Sequence, residues 1–299
     1  MNRIAGLDWL RLFAIVLVTL QHALSVVGRY DQTSFYSISL GQTGVAIFCA
    51  ISGYLAFGRA NEPVQDWLWG RLRAIFPAYW LVMLFSFALT ALFNIKSFSL
   101  WQFVSQMLGL GYFTHGWQLV NVVSWFISLI LLCYVIAAAA RASRQPLAAL
   151  AVAFAVSAAL VALRLEVDLS RHVIAFVIGA SLRLSPPHLR NRWLFVVLVG
   201  TLLLWWQVTY QFAYATLAGM LVWSVVAWPV PHLSGIERAA KYTYEYFLLH
   251  GVFLAGLTSL MPNQAVLGIV AAVLVSLIAA VVLQRVVLAL QGAIASYGR

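Results

Sequence analysis

Long apolar segments separated by short polar links dominate the pattern of this chain. Ten segments stand out, and most approach the length of about 20 residues that an α-helix needs to cross a bilayer. They cover, approximately, residues 7–28, 41–58, 74–93, 119–140, 147–163, 172–184, 193–209, 212–228, 241–260 and 265–288. Residues 98–113 are more polar and predict an amphipathic helix along the membrane interface. The pattern predicts an all-α polytopic membrane protein with about ten transmembrane helices.

The basic residues predict how these helices are oriented. With the N-terminus in the cytoplasm, the cytoplasmic segments hold Arg3, Arg59, Arg71, Arg73, Arg141, Arg144, Arg183, Arg190, Arg192, Arg238, Lys241, Arg285 and Arg299. The outer segments hold Arg29, Lys96, Arg164 and Arg171. Because cytoplasmic loops carry the excess of Lys and Arg, this distribution predicts that both termini are cytoplasmic. The short links leave no room for a soluble domain, so residues 1–299 are predicted to form a single integral-membrane domain.

Composition supports the membrane assignment and excludes other classes of protein. The chain is 64% hydrophobic and 9% charged, far from the usage of soluble globular domains. Its net charge of +10 lies in short links between apolar segments, so it indicates membrane lipids as surroundings and does not indicate a nucleic-acid partner. Cys49 and Cys133 both fall within predicted helices, and neither suggests a disulfide or a metal site.

The first apolar segment, LDWLRLFAIVLVTLQHALSVVG, contains ionisable residues. Arg11 and His22 are separated by about 16.5 Å of helical rise and by three turns plus about 20°, so they share one face. Asp8 precedes Arg11 by three residues, within reach of an ion pair. Because charges in hydrocarbon are costly, we expect this face to meet the protein interior or a water-filled cavity. The pattern suggests that an anion is held at one depth and a proton is moved at another.

Two structural explanations compete with this interpretation. A secretory signal peptide is disfavoured because Asp8 and Arg11 interrupt the apolar run and no small-residue cleavage site is evident. The second alternative stays open: Arg11 extends to the lipid headgroups while His22 bonds a neighbouring helix.

Small residues and arginines follow in the next two segments. Gly41, Gly44 and Gly53 are positions that permit close approach of helices, and Ser52 can form a hydrogen bond across a helix pair. The third segment is entered through WGRLRAIFPAYW, which places Arg71 and Arg73 at its predicted cytoplasmic end. Taken alone these arginines are topology signals, although a guanidinium suits phosphate geometry well.

The ninth segment contains KYTYEYFLLHG, which ends in a second membrane histidine, His250. A single histidine near a membrane interface is more often structural than catalytic. The presence of His22 elsewhere in the chain keeps the functional interpretation open.

Taken together, these motifs resemble the membrane-bound acyltransferase 3 family. LDWLRLFAIVLVTLQHA is similar to the family's first-helix pattern, with its arginine and histidine at Arg11 and His22. GVAIFCAISGYL resembles a family segment with SG-[FY]-L at its end, and RLRAIFPAYW resembles an arginine-rich entry into a Pro-Tyr-Trp helix. KYTYEYFLLH resembles a late segment ending in histidine, here His250. The matches occur in the family's order across nearly the whole chain.

The sequence departs from the family pattern at two places. Trp125 begins a segment in which the family commonly has a glutamate, and here that position is Ile130. The family's paired arginines are three residues apart. Arg71 fits the first, but Ala74 occupies the second position and Arg73 lies one residue before it.

The resemblance implies an O-acyltransferase that uses cytoplasmic acyl-CoA, often acetyl-CoA, as a co-substrate, with no bound cofactor or metal. The acceptor it implies is a sugar hydroxyl of a cell-surface polysaccharide, a lipopolysaccharide or a lipid-linked saccharide, and the location is a bacterial inner membrane. His22 would act as general base or attack the thioester itself, with Arg11 beside it on the donor side. The implied donor-binding residues are Arg11, Arg71 and Arg73. Candidates for the acceptor side, or for support of the catalytic residues, are Asp8, Ser52, Trp125, Tyr134, Tyr244 and His250.

A proton-coupled membrane transporter is the main alternative, in which Asp8, Arg11 and His22 would form a proton relay. It predicts repeats and broken helices in matching halves, which the sequence does not show. A non-enzymatic envelope scaffold gives no reason to keep charged residues within the first helix.

Overall fold

The computed structural model describes residues 4–35, 37–58 and 62–297, of which 80% are helical. Within these residues the α-helices are α1 Ala5–Val26, α2 Leu40–Ala56, α3 Val64–Leu92, α4 Leu100–Met107, α5 Gly111–His115, α6 Trp125–Ala142, α7 Pro146–Ala162, α8 Ser170–Leu184, α9 Pro187–Gln207, α10 Phe212–Ala227, α11 Ser234–Ala240, α12 Thr243–Leu260 and α13 Ala265–Tyr297. Short 3₁₀ helices span Tyr30–Thr33 and Val122–Ser124. Strands β1 Ser34–Phe35 and β2 Ile38–Ser39 pair antiparallel just before α2.

The predicted helical character of the apolar segments is confirmed, because each of the ten lies on a helix. Four helical segments of the described chain are long and apolar enough to cross a membrane, namely Ala5–Val26, Val64–Leu92, Val122–Ala142 and Ala265–Ala293. The count of ten spans and the orientation of the termini stay predictions. Arg3, Arg59 and Arg299, which contributed to that orientation, lie outside the described residues.

The polar segment between the third and fourth predicted spans differs from its prediction. The sequence predicts one amphipathic helix over residues 98–113, but α4 and α5 are two short helices separated by a turn. The turn contains Gly109 with a φ of 74°, a left-handed conformation that favours glycine. Ser128 helps to hold this turn, because its hydroxyl donates to the carbonyl of Gly109 at 2.7 Å.

The helices form two compact units, each assembled from three parts of the chain. The first unit comprises Met1–Leu24, Arg29–Leu68 and Leu129–Ala240, and the second comprises Ser25–Gly28, Trp69–Ser128 and Lys241–Arg299. The prediction of a single integral-membrane domain stays a prediction.

Helix α8 forms the core of the first unit. Every residue from Ser170 to Leu182 is buried, so this helix has protein on all sides. It packs on α2 with almost no space between the backbones: a Cβ added to Gly179 would lie 2.0 Å from the carbonyl oxygen of Ala50. A Cβ at Gly53 would lie equally close to the carbonyl of Phe176. The sequence-based interpretation of Gly53 as a close-packing position is therefore confirmed.

In the second unit, α3 continues through Pro77 without breaking. Proline has no N–H, so the carbonyl of Arg73, four residues earlier, loses its helical partner. The side chain of Gln291 on α13 donates to that carbonyl at 3.2 Å. A contact from another helix thus satisfies the group that Pro77 would otherwise leave unpaired.

Candidate active site

Helix α1 has an exposed apolar stripe and an interior face that carries the ionisable residues. Trp9, Phe13, Val16 and Leu20 form the stripe and are 37%, 47%, 60% and 44% exposed. At 100° per residue, Arg11 and His22 lie about 170° and 150° from the centre of that stripe. Arg11 and His22 therefore lie on the face of α1 opposite the exposed stripe, as the sequence predicts.

Asp8 and Arg11 form the predicted ion pair at the beginning of this face. Arg11 Nη1 lies 3.2 Å from Asp8 Oδ1, and the two side chains are 32% and 5% exposed. Asp8 is buried, so the ion pair places a carboxylate within the protein interior beside a guanidinium. The ion pair orients the guanidinium of Arg11 from the preceding turn of the same helix.

The beginning of α1 is fixed by packing on α10. A Cβ at Gly6 would lie 2.5 Å from the Cβ of Val225, so the two helices are in close contact there. The indole N–H of Trp9 donates to the carbonyl of Pro231 at 3.2 Å. These contacts set the height and rotation of the turn that carries Asp8 and Arg11.

His22 lies in the last turns of α1 and is partly buried. The residue before it, Gln21, is buried and contacts the N-terminus of α2. Its carboxamide oxygen accepts a hydrogen bond from the hydroxyl of Ser39 and another, 2.6 Å long, from the backbone N–H of Gly41. Ala14 lies on α1 between Arg11 and His22. A Cβ added to Gly44 of α2 would lie 2.5 Å from the carbonyl oxygen of Ala14. The close-packing interpretation of Gly41 and Gly44 is thereby confirmed.

Arg71 and Arg73, the predicted donor-binding residues, lie on α3. Arg73 is exposed and its guanidinium carbon lies 5.1 Å from the centre of the Trp69 ring, one helical turn earlier. Arg71 is partly buried. The charge of Arg73 thus lies over the face of an aromatic ring, in a cation–π contact. Their role in binding a donor stays a prediction.

The predicted acceptor-side residues of α2 and α6 occupy packing positions. Ser52 is partly buried on α2. The ring of Tyr134 packs edge-on against Trp67 at 5.6 Å. Trp125 is buried, with its ring 5.4 Å from that of Trp117. Ile130, at the position where the family commonly has glutamate, is 2% exposed and lies in the core.

Tyr244 and His250 lie on α12, in the second unit. The hydroxyl of Tyr244 donates to the carbonyl of Ile75 at 2.9 Å. His250 is fully buried, and its Nδ1 lies 2.6 Å from the carbonyl oxygen of Phe247 in the preceding turn. Because a carbonyl only accepts, Nδ1 carries the hydrogen. The imidazole also stacks on Tyr246, with 5.7 Å between ring centres and 9° between planes.

One buried polar cluster, at the beginning of α8, was not anticipated as a site. The sequence places Arg171 in an outer segment, but it is buried as the second residue of α8. Its guanidinium contacts Asp168 at 2.9 Å and Gln211 at 2.8 Å, and stacks over Tyr214. The next residue, His172, is fully buried, with Nδ1 2.6 Å from the carbonyl oxygen of Asp168. The spacing of Asp168 and Arg171 in the sequence is the signal that could have indicated their ion pair.

Comparisons with known proteins agree with these motifs. The family model described as an acyltransferase domain matches residues 4–285 of the chain. A search of curated proteins and a search of solved structures found no match. The matched region includes α1, both predicted arginines of α3, and His250.

Proposed function

Since the chain belongs to the acyltransferase 3 family and is an integral membrane acyltransferase, we propose that it uses cytoplasmic acyl-CoA as donor. The acyl group is proposed to be acetyl, and the acceptor a hydroxyl of a surface polysaccharide, lipopolysaccharide or lipid-linked saccharide. We assign the protein to a bacterial inner membrane, where the donor is reached from one side and envelope saccharides from the other.

The observation that supports this proposal best is the shared interior face of Arg11 and His22 on α1. The two groups lie about 16.5 Å apart along the helix axis, opposite the exposed stripe. Acyl-CoA carries its phosphates far from its thioester. A cation at one depth and a base at another therefore match the two ends of the donor. Asp8 holds the guanidinium in place at 3.2 Å.

The chemistry requires little beyond a base and an orienting cation. A thioester is already activated, so the enzyme has chiefly to align the donor and take a proton from the hydroxyl. In the proposed step, an imidazole nitrogen of His22 accepts the hydroxyl proton as the oxygen attacks the thioester carbonyl. The carbon–sulfur bond breaks, and the leaving thiolate takes the proton back from the imidazolium. The products are the ester and free CoA.

A two-step variant uses the same residue as nucleophile. His22 would attack the thioester and release CoA, and the resulting acyl-imidazole would pass its acyl group to the hydroxyl. The two routes differ in one observable: only the second releases one equivalent of CoA per protein without an acceptor. A rapid-quench measurement of CoA at enzyme concentrations comparable to donor would separate them.

The remaining predicted residues enter the proposal as separate hypotheses. Arg71 and Arg73 are proposed to bind donor phosphates, since arginine forms bidentate contacts with phosphate oxygens. Ser52, Trp125, Tyr134 and Tyr244 are proposed as acceptor-side or supporting residues. For His250, the contacts with Phe247 and Tyr246 favour a structural role.

The proposed activity is tested in two stages. Surface glycans from cells with and without the gene are compared by mass spectrometry, and we expect the loss of one acyl mass. The glycan from cells lacking the gene then serves as acceptor for purified protein with acetyl-CoA, with free thiol as the readout. Acceptor-dependent thiol release supports the proposal. A transporter would move its substrate and release no thiol, and that result would refute the proposal.

A further inference from the structure

The contact between Gln21 and the N-terminus of α2 lies next to the proposed base. Gln21 is buried and adjoins His22 in the sequence of α1. Its oxygen accepts from two donors on the segment that begins α2, the hydroxyl of Ser39 and the N–H of Gly41. Because the N–H of Gly41 can only donate, the atom that faces it must be the carboxamide oxygen of Gln21.

The N-terminus of α2 is suited in two ways to receive the side chain of Gln21. Ser39 is the N-cap of α2, and Gly41 belongs to the first turn, whose N–H groups have no partner within the helix. Gln21 therefore satisfies one of these N–H groups from a different helix. A Cβ at Gly41 would lie 2.8 Å from the carboxamide carbon of Gln21, so glycine is required for this approach.

The segment that receives Gln21 is itself held in place. The backbone N–H of Ser39 donates to the hydroxyl of Tyr214 on α10 at 3.0 Å. The guanidinium of Arg171 stacks over the Tyr214 ring at 5.3 Å and contacts Asp168 at 2.9 Å. Gln21 is thus connected through Ser39 and Tyr214 to the buried polar cluster at the beginning of α8.

These contacts fix the rotation of α1 at the level of His22. A side-chain group about 5 Å from a helix axis moves by about 1 Å when the helix rotates by roughly 10°. A misplacement of about 1 Å can cost on the order of 100-fold in rate. We infer that Gln21 is a positioning residue that sets the orientation of His22 for acyl transfer. This inference rests on the proposed function.

The test separates the hydrogen-bond acceptor of the Gln21 side chain from the size of that side chain. Gln21→Met keeps the length of the side chain and removes the hydrogen-bond acceptor, whereas Gln21→Glu keeps an accepting oxygen in either protonation state. We expect Gln21→Met to lower kcat by about 10- to 100-fold while KM for acetyl-CoA stays within about twofold. Gln21→Glu should stay within about threefold of the wild-type kcat.

A control variant distinguishes positioning from general loss of stability. Thr201→Val also removes a buried side-chain hydrogen bond in the first unit, the 2.9 Å contact with Thr216. It should leave kcat and KM unchanged even if the melting temperature falls. If Gln21→Met does not accumulate, Gly41→Ala takes its place, because the added Cβ displaces the same carboxamide. It should lower kcat in the same way.

The assay uses purified full-length protein, acetyl-CoA and the glycan from cells lacking the gene. Wild-type kcat in Gln21→Met, or in Gly41→Ala where that variant is used, would overturn the inference, as would a Gln21→Glu protein no more active than Gln21→Met. Wild-type protein and His22→Ala are measured alongside. If the wild type releases no thiol, both proposals fail. If the wild type depends on His22 but not on Gln21, the positioning role alone fails.

Discussion

His22 on α1 and His250 on α12 are the same side chain in two different surroundings. His250 is fully buried, donates to its own helix at 2.6 Å and stacks on Tyr246. His22 is partly buried, shares a helix face with Arg11 and follows the buried Gln21. A ring packed on an aromatic neighbour and hydrogen-bonded to its own helix supports the fold. His22 shares its helix face with a cation, and under the proposed function its ring exchanges a proton. Under the proposed function, the surroundings rather than the residue type separate the roles of the two histidines.

Any test of the two histidines must separate a loss of activity from a loss of folded protein. The largest effect that we expect is a loss of folded protein, caused by a change in the helix packing. Gly179→Ala would place a Cβ 2.0 Å from the carbonyl oxygen of Ala50. Because α2 and α8 are closely packed, moving them apart to make room would lose packing contacts and destabilise the fold. We expect little folded protein in detergent extracts, measured by size-exclusion chromatography. Gly200→Ala is the control, because nothing lies within 4 Å of its added Cβ. Equal amounts of both variants would contradict the close packing of α2 on α8.

A large effect on activity is also expected for Arg11, the cation on the same helix face as His22. Arg11→Lys retains the charge beside Asp8 but cannot reproduce the guanidinium fork. We expect kcat/KM for acetyl-CoA to fall by about tenfold or more, equivalent to at least roughly 1.4 kcal/mol. Arg144→Lys makes the same exchange at an exposed position and should have no effect. If the two variants behaved alike, Arg11 would be an orientation signal only.

A smaller effect, confined to donor binding, is expected on α3. Arg71→Ala should raise KM for acetyl-CoA by about tenfold with little change in kcat, because it removes a charge-assisted contact present before and during the reaction. Arg73→Ala should do the same if this arginine replaces the family's second one. Arg285→Ala removes an exposed arginine of the same unit and serves as the control. If KM for acetyl-CoA is unchanged in one of these variants, that arginine does not bind the donor and only contributes to the orientation of the protein in the membrane.

The smallest effect on activity is expected at His250. His250→Phe keeps an aromatic ring against Tyr246 and removes the Nδ1 donor, which should cost about 0.5–1.5 kcal/mol of stability. We expect a lower melting temperature with kcat within about threefold of wild type. Loss of transfer in a folded His250→Phe protein would reverse the comparison and place His250 on the acceptor side.

Most of the helices could be predicted from the sequence, because a long apolar run in a membrane leaves the backbone few alternatives to a helix. The ion pair of Asp8 and Arg11 was equally accessible, since it depends on spacing within one helix. The break between α4 and α5 was missed, because the polar run continues through Gly109 and its positive φ is not visible as a change of pattern.

The contacts around the candidate site could not be predicted in the same way. Gln21 interrupts an apolar run, but nothing in the sequence indicates that its partner is Gly41, twenty residues later. The distribution of basic residues places Arg171 in an outer segment, whereas in the fold Asp168, Gln211 and Tyr214 surround its charge. Both cases depend on tertiary contacts between polar groups, which hydropathy and periodicity do not encode.

The central claim, that His22 is the base of acyl transfer, is tested most directly by thiol release from purified His22→Ala protein. The measurement uses acetyl-CoA, the glycan from cells lacking the gene, and amounts of folded protein matched to wild type. We predict a fall in kcat of about 10²–10⁴-fold with an unchanged melting profile, since one imidazole contributes little to the packing of these helices. Wild-type transfer by a folded His22→Ala protein would contradict the account.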